Sequence, residues 1–165
     1  MWGYTGLTSL LVDAGSGGRE RSPLRVLLAD GHALMRRSLR LLLDGEDGID
    51  VVAEADRLRL AERLVSLYRP DVLVVAFGMP NGSSVETIGR LRRLVPSTQI
   101  VVLTMDESGA LARLALDSGA LGFVMIDHAD SELPQALRAV ARGEQYVSAA
   151  AAGRLDALRR SLERD

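Results

Sequence analysis

Asp30 and His32 stand two residues apart after a short aliphatic run, and no other pair in this chain is as well suited to acid–base chemistry. With Thr104 or Ser83 as nucleophile they would form a small hydrolase site. No nucleophile elbow and no glycine-rich phosphate loop accompanies them, and the only other histidine is His128. The absence of cysteine removes thiol catalysis, disulfides and cysteine metal sites. All 20 basic side chains are arginine, which removes a P-loop or Schiff-base lysine as well. A further place for chemistry is the end of the apolar run Val72-Leu73-Val74-Val75-Ala76, which leads into Phe77-Gly78-Met79-Pro80-Asn81-Gly82. Such a run suits a strand covered on both faces of a parallel sheet, and ligands gather at the carboxyl ends of such strands. Its tip, Ala76, offers only a methyl group.

The elements that would position these residues alternate between strand and helix from Leu24 onward, which is the pattern of a doubly wound sheet. Strands are expected at Arg25–Ala29, Val51–Ala55, Val72–Ala76, Gln99–Leu103 and Leu121–Met125. Five strands fit a flavodoxin-like parallel sheet with helices on both faces. Apolar residues recur at three and four in between: Met35, Leu39, Leu42 and Leu43; Leu60, Leu64, Leu67 and Tyr68; Ile88, Leu91 and Val95. A fourth helix carries Leu111, Leu114 and Ala115, and a fifth carries Leu133, Leu137 and Val140. Asp44-Gly45, Arg69-Pro70, Val95-Pro96, Ser118-Gly119 and Arg142-Gly143 mark the helix ends.

Residues 1–23 contain Gly15-Ser16-Gly17-Gly18 and sustain no period, so a flexible extension is expected there. At the other end, residues 148–165 place Ala151, Leu155, Leu158 and Leu162 on one helical stripe. This extra C-terminal helix either docks on its own domain or serves as a linker or dimer helix, with Leu155, Leu158 and Leu162 as the candidate partner surface.

The 165 residues amount to one domain, 47% hydrophobic and 25% charged, with 4% aromatic side chains. That is too few aromatic side chains for a stacking surface, and a net charge of −2 gives no general pull toward DNA or anionic membrane. No apolar run reaches the roughly 18 residues of a membrane span, and the N-terminus lacks the basic start of a secretory signal. The cytoplasm is the expected location, with no membrane partner. The arginine clusters Arg36-Arg37-Arg40, Arg57-Arg59-Arg63 and Arg90-Arg92-Arg93 read as solvated helix faces.

From Leu24 to about Val147 the chain resembles the receiver domain of the NarL/FixJ class of response regulators, whose effector is a LuxR-type helix-turn-helix. The resemblance rests on Arg25-Val26-Leu27-Leu28-Ala29-Asp30-Gly31-His32, Val51-Val52-Ala53-Glu54-Ala55 and Arg69-Pro70-Asp71-Val72. It continues through Val101-Val102-Leu103-Thr104-Met105, Ser118-Gly119-Ala120-Leu121-Gly122-Phe123 and Gly143-Glu144-Gln145-Tyr146-Val147-Ser148. In an ordinary receiver, two adjacent acids and an acceptor aspartate hold magnesium, and a lysine neutralises the phosphoryl oxygens. The resemblance places those groups at Asp30-Gly31, Ala76 and Ile126, with Thr104 at the hydroxyl position. Only Asp30 and Thr104 keep their types. The resemblance therefore implies a degenerate phosphorylation site formed by Asp30, Gly31, Ala76, Thr104 and Ile126, with neither catalytic residues nor a metal or cofactor. It also implies Thr104 and Phe123 as a switch-like pair, against the plainer reading of Phe123 as core. In this receiver class His32 often occurs without catalytic duty, so the hydrolase is the weaker reading.

The expected function is a phosphorylation-independent signalling domain that acts through homodimerisation or a protein partner in signal transduction or transcription. The alternative is a pseudo-receiver that senses a small molecule in the pocket around Asp30, Ala76, Thr104 and Ile126. No helix-turn-helix is expected in this chain, so DNA would be reached only through a missing effector domain, if the natural protein is longer.

Overall fold

The computed structural model describes residues 21–164. The flexible extension expected at residues 1–23 therefore lies almost wholly outside the described residues. Six strands, β1 Leu24–Ala29, β2 Ile49–Ala55, β3 Val72–Ala76, β4 Gln99–Thr104, β5 Gly122–Met125 and β6 Tyr146–Val147, form one sheet in the order β2-β1-β3-β4-β5-β6. Every pairing is parallel. Between them run α1 Ala33–Asp44, α2 Leu58–Tyr68, α3 Ser84–Leu94, α4 Gly109–Ser118 and α5 Ala129–Ala141, with α6 Ala149–Leu162 at the end.

Alternation along the central strands divides the core into two layers. Leu27, Leu73, Val75 and Val102 pack with Val65 of α2, Ile88 of α3 and Ala112 of α4. Val26, Leu28, Val74 and Val101 pack with Leu39 and Leu43 of α1 and with Leu133 and Leu137 of α5. Both faces of the sheet are thus covered, which is why β3 is apolar and buried at every position.

Three expectations need correction. The sheet has a sixth strand: Tyr146 pairs with Gly122 and Val147 with Phe123, a two-residue strand too short to leave any period in sequence. On α2 the buried stripe is Leu58, Ala61 and Val65. Leu67 and Tyr68 face solvent, and on α4 Leu114 does too. Of the candidate partner-surface residues, Leu155 is buried at 3% exposure, which matches the alternative that the last helix docks on its own domain, whereas Leu162 is 52% exposed.

The docking of α6 explains that burial. Ala151 and Leu155 are the buried residues of α6, and α6 lies along α4. At Gly109 the two helices approach so closely that a Cβ would stand 2.6 Å from the Arg154 carbonyl oxygen. Arg154 pairs with Glu107 just before α4. Ser148, fully buried, fastens the start of α6 to the sheet. Its N–H donates to the Phe123 carbonyl at 2.9 Å, and its Oγ accepts the Met125 N–H at 2.9 Å and donates to Glu132 of α5.

Candidate functional site

Parallel strands deliver the residues that follow β1, β3, β4 and β5 to the same edge of the sheet. Asp30 follows β1, and its backbone N–H donates to the Ala55 carbonyl at 3.0 Å, which continues the ladder to β2. Its side chain is 3% exposed. Oδ1 accepts the His32 backbone N–H at 2.8 Å and lies 3.3 Å from His32 Nδ1, whose imidazole points largely into solvent. The Arg36 guanidinium serves other acceptors, the Asp30 carbonyl oxygen at 2.6 Å and Glu54 Oε1 at 3.4 Å.

Gly31 lies under the loop after β3. A Cβ there would stand 3.1 Å from Pro80 Cδ and 3.5 Å from the Asp56 carbonyl. Any side chain at this position would press on Pro80, whose carbonyl accepts the Leu58 N–H at 3.1 Å and so tethers the loop to α2. That loop turns through positive φ at Gly78, Asn81 and Gly82, and the Gly78 N–H donates to Ser84 Oγ at 3.2 Å.

Ala76 ends β3 opposite Leu103. Thr104 ends β4, buried, and its Oγ1 accepts the Asp106 N–H at 3.0 Å. Ile126 opens a 3-10 turn, Ile126–His128, after β5. Asp30, Ala76, Thr104 and Ile126 line one cavity of about 660 Å³, together with His32, Leu34, Met35, Ser38, Phe77, Leu103, Met105 and Asp106. The fold thus assembles four of the five residues singled out at the degenerate site. Gly31 sits behind them, outside the lining. Phe123 is fully buried within the core layer and also lies outside the lining.

Leu34, Phe77 and Met105, which rim this cavity, were not singled out in sequence. Leu34 is 78% exposed and Met105 75%, and each directly follows or precedes a residue that was. A hydrolase constellation is not assembled: His32 donates to neither Thr104 nor Ser83 among the described residues, and Ser83 instead caps α3 by accepting the Glu86 N–H at 3.4 Å. No group of three or more residues placed to hold a metal ion occurs among the described residues. A second depression, of about 670 Å³ between α2 and α3, is lined by Leu64, Leu67, Leu91 and Leu94. Its one carboxylate, Glu62, is already paired with Thr87 and Arg90.

The sheet order and the convergence of the β1, β3, β4 and β5 loops define a flavodoxin-like α/β domain whose site lies at the carboxyl edge. A profile of the response regulator receiver domain matches residues 26–138, and the chain belongs to that family. It is 34% identical over 129 residues to the nitrate/nitrite response regulator protein NarP of Escherichia coli, covering 78% of this chain and 60% of that protein. A two-component response regulator of the LuxR family from Aurantimonas sp. SI85-9A1 superposes with a TM-score of 0.80 at 30% identity, covering 84% of this chain and 99% of that one. A structure described as two RcsB dimers bound to two parallel DNAs matches with a TM-score of 0.75 at 26% identity, covering 81% of this chain and 68% of that one. The chain spans about 60% of the length of the first curated relative it matches. It is a response-regulator receiver domain of the NarL/LuxR type, with no described helix long and apolar enough to cross a membrane.

Proposed function

We propose that this receiver domain signals without accepting a phosphoryl group, through self-association or a protein partner, in transcriptional control or another signalling output. The observation that carries the reading is the pairing of Ala76 with Ile126 in a cavity whose one buried carboxylate is Asp30. Phosphoryl transfer needs an oxygen nucleophile and positive charge against the transferred oxygens. Magnesium, reluctant to shed water, needs more oxygen ligands than one aspartate supplies. In this reading residues 24–147 are the receiver unit and residues 148–165 a linker or dimer helix. DNA contact would belong to an effector domain outside this chain, if the natural protein is longer.

Incubation with acetyl phosphate and magnesium, or with beryllofluoride, tests this when followed by intact mass and sedimentation. The expected result is an unchanged mass and an association state set by protein concentration alone. A hydroxylamine-sensitive phosphoryl adduct overturns the proposal.

A further inference from the structure

The cavity at the carboxyl edge is mostly apolar yet holds a carboxylate on its wall. Leu34, Met35, Phe77, Met105 and Ile126 supply hydrocarbon surface, and the volume of about 660 Å³ lies within the roughly 300–1,000 Å³ of small-molecule sites. A buried carboxylate is costly unless a cation or donors compensate it. Asp30 receives one backbone N–H on Oδ1, and among the described residues nothing donates to Oδ2. Every fully sealed polar side-chain atom among these residues has a partner, so Oδ2 keeps a path to solvent. The other ionisable lining residues are His32 and Asp106, and Asp106 Oδ1 accepts the Ser108 N–H at 2.8 Å. No arginine among the described residues lines the cavity. This charge pattern repels an anion such as a phosphate and favours a cation.

We propose that this cavity binds a small organic cation, an alkylammonium or arylalkylammonium whose amino group pairs with Asp30 while its hydrocarbon part lies against Leu34, Met35 and Ile126. A bare divalent ion would use the carboxylate and leave the apolar walls wet; an uncharged hydrophobe would use the walls and leave Oδ2 without a donor. An amine uses both. The exposed side chains of Leu34 and Met105 at the rim close over the hydrocarbon part. The inference rests on the proposed function in one respect: Ala76, carrying no acceptor carboxylate, leaves the space the ligand would fill.

The test is calorimetric titration of the full chain, with EDTA present, against phenylbutylamine, phenylbutanol and phenylbutyrate. The amine is expected to bind at least about tenfold more tightly than the alcohol, a difference of about 1.4 kcal/mol, and the acid more weakly than either. Asp30→Asn should bring amine and alcohol to within about threefold of each other. Ile126→Lys, which delivers an amino group into the cavity without touching Asp30, should weaken the amine about tenfold and the alcohol little, so the outcome does not hang on Asp30→Asn folding. Equal affinity for the three probes, preference for the acid, no binding, or full amine affinity in both variants overturns the inference. The phosphoryl adduct is read separately by mass: an adduct with amine selectivity intact sinks the phosphorylation-independent reading, and no adduct without amine selectivity sinks only this one.

Discussion

At the scale of single residues, the proposed independence from phosphorylation is a matter of which groups can act together. Restoring one carboxylate by Ala76→Asp supplies a nucleophile but neither the second acid of the adjacent pair, at Gly31, nor the cation at Ile126, so acetyl phosphate with magnesium should still leave the mass unchanged. Adding Gly31→Asp and Ile126→Lys to Ala76→Asp is expected to yield a detectable phosphoryl adduct by intact mass. Yield should be limited at Gly31, where the new Cβ meets Pro80 at 3.1 Å and the loop after β3 must give way. Ser148 acts at the same scale on stability, because its hydroxyl is the partner of both the Met125 N–H and Glu132. Ser148→Ala leaves a buried donor without an acceptor, so urea unfolding should report a loss of about 1–3 kcal/mol. The residues of the site were legible in sequence by type and order: an acid after one apolar run, a methyl after another and a hydroxyl after a third had to converge if the runs were parallel strands. The rim was not legible, since Leu34 and Met105 look like ordinary helix and strand-end hydrophobes until tertiary structure leaves them exposed.

At the scale of elements, α6 is the part of the chain whose reading changed most. The spacing of Ala151, Leu155, Leu158 and Leu162 correctly marked an amphipathic helix, but periodicity names an apolar face without naming what covers it. Here α6 packs along α4, burying Ala151 and Leu155, with the backbone of Arg154 and Leu155 against Gly109. The sign that this would happen was Gly109, whose missing side chain admits the backbone of Arg154. Overpacking that contact with Gly109→Val should undock α6 at a cost of about 1–3 kcal/mol. Hydrogen exchange gives a specific readout: amides of residues 149–162 should lose protection while those of β3 and β4 keep theirs. Arg154→Ala removes only the exposed pair with Glu107 and should cost less than about 1 kcal/mol. On α2 the four expected residues, Leu60, Leu64, Leu67 and Tyr68, lie on a stripe next to the buried one formed by Leu58, Ala61 and Val65, and of the four only Leu60 and Leu64 pack against the core.

At the scale of the whole molecule, the parallel sheet was legible because its central strands are buried on both faces and so apolar without interruption, while its far edge was not. β6 comprises Tyr146 and Val147 alone, held by the Tyr146 N–H to the Leu121 carbonyl at 3.0 Å and by register with β5. This edge gives global stability a pH dependence. Burial raises the Tyr146 phenol above its ordinary value of 10.0, and the nearby negative charge of Glu132 raises it further. A raised pKa means that the folded state holds the proton more tightly than the unfolded chain does. The corresponding stability is fully present below about pH 10 and is lost as pH climbs through the unfolded value toward the folded one. Urea midpoints measured from about pH 8 to about pH 11 should therefore fall more steeply for the native chain than for Tyr146→Phe, whose ring packs alike and cannot ionise. Because the two proteins differ in no other ionisable group, the difference between the two curves isolates this one phenol. Parallel curves would mean that the edge strand leaves Tyr146 as freely solvated in the fold as in the unfolded chain.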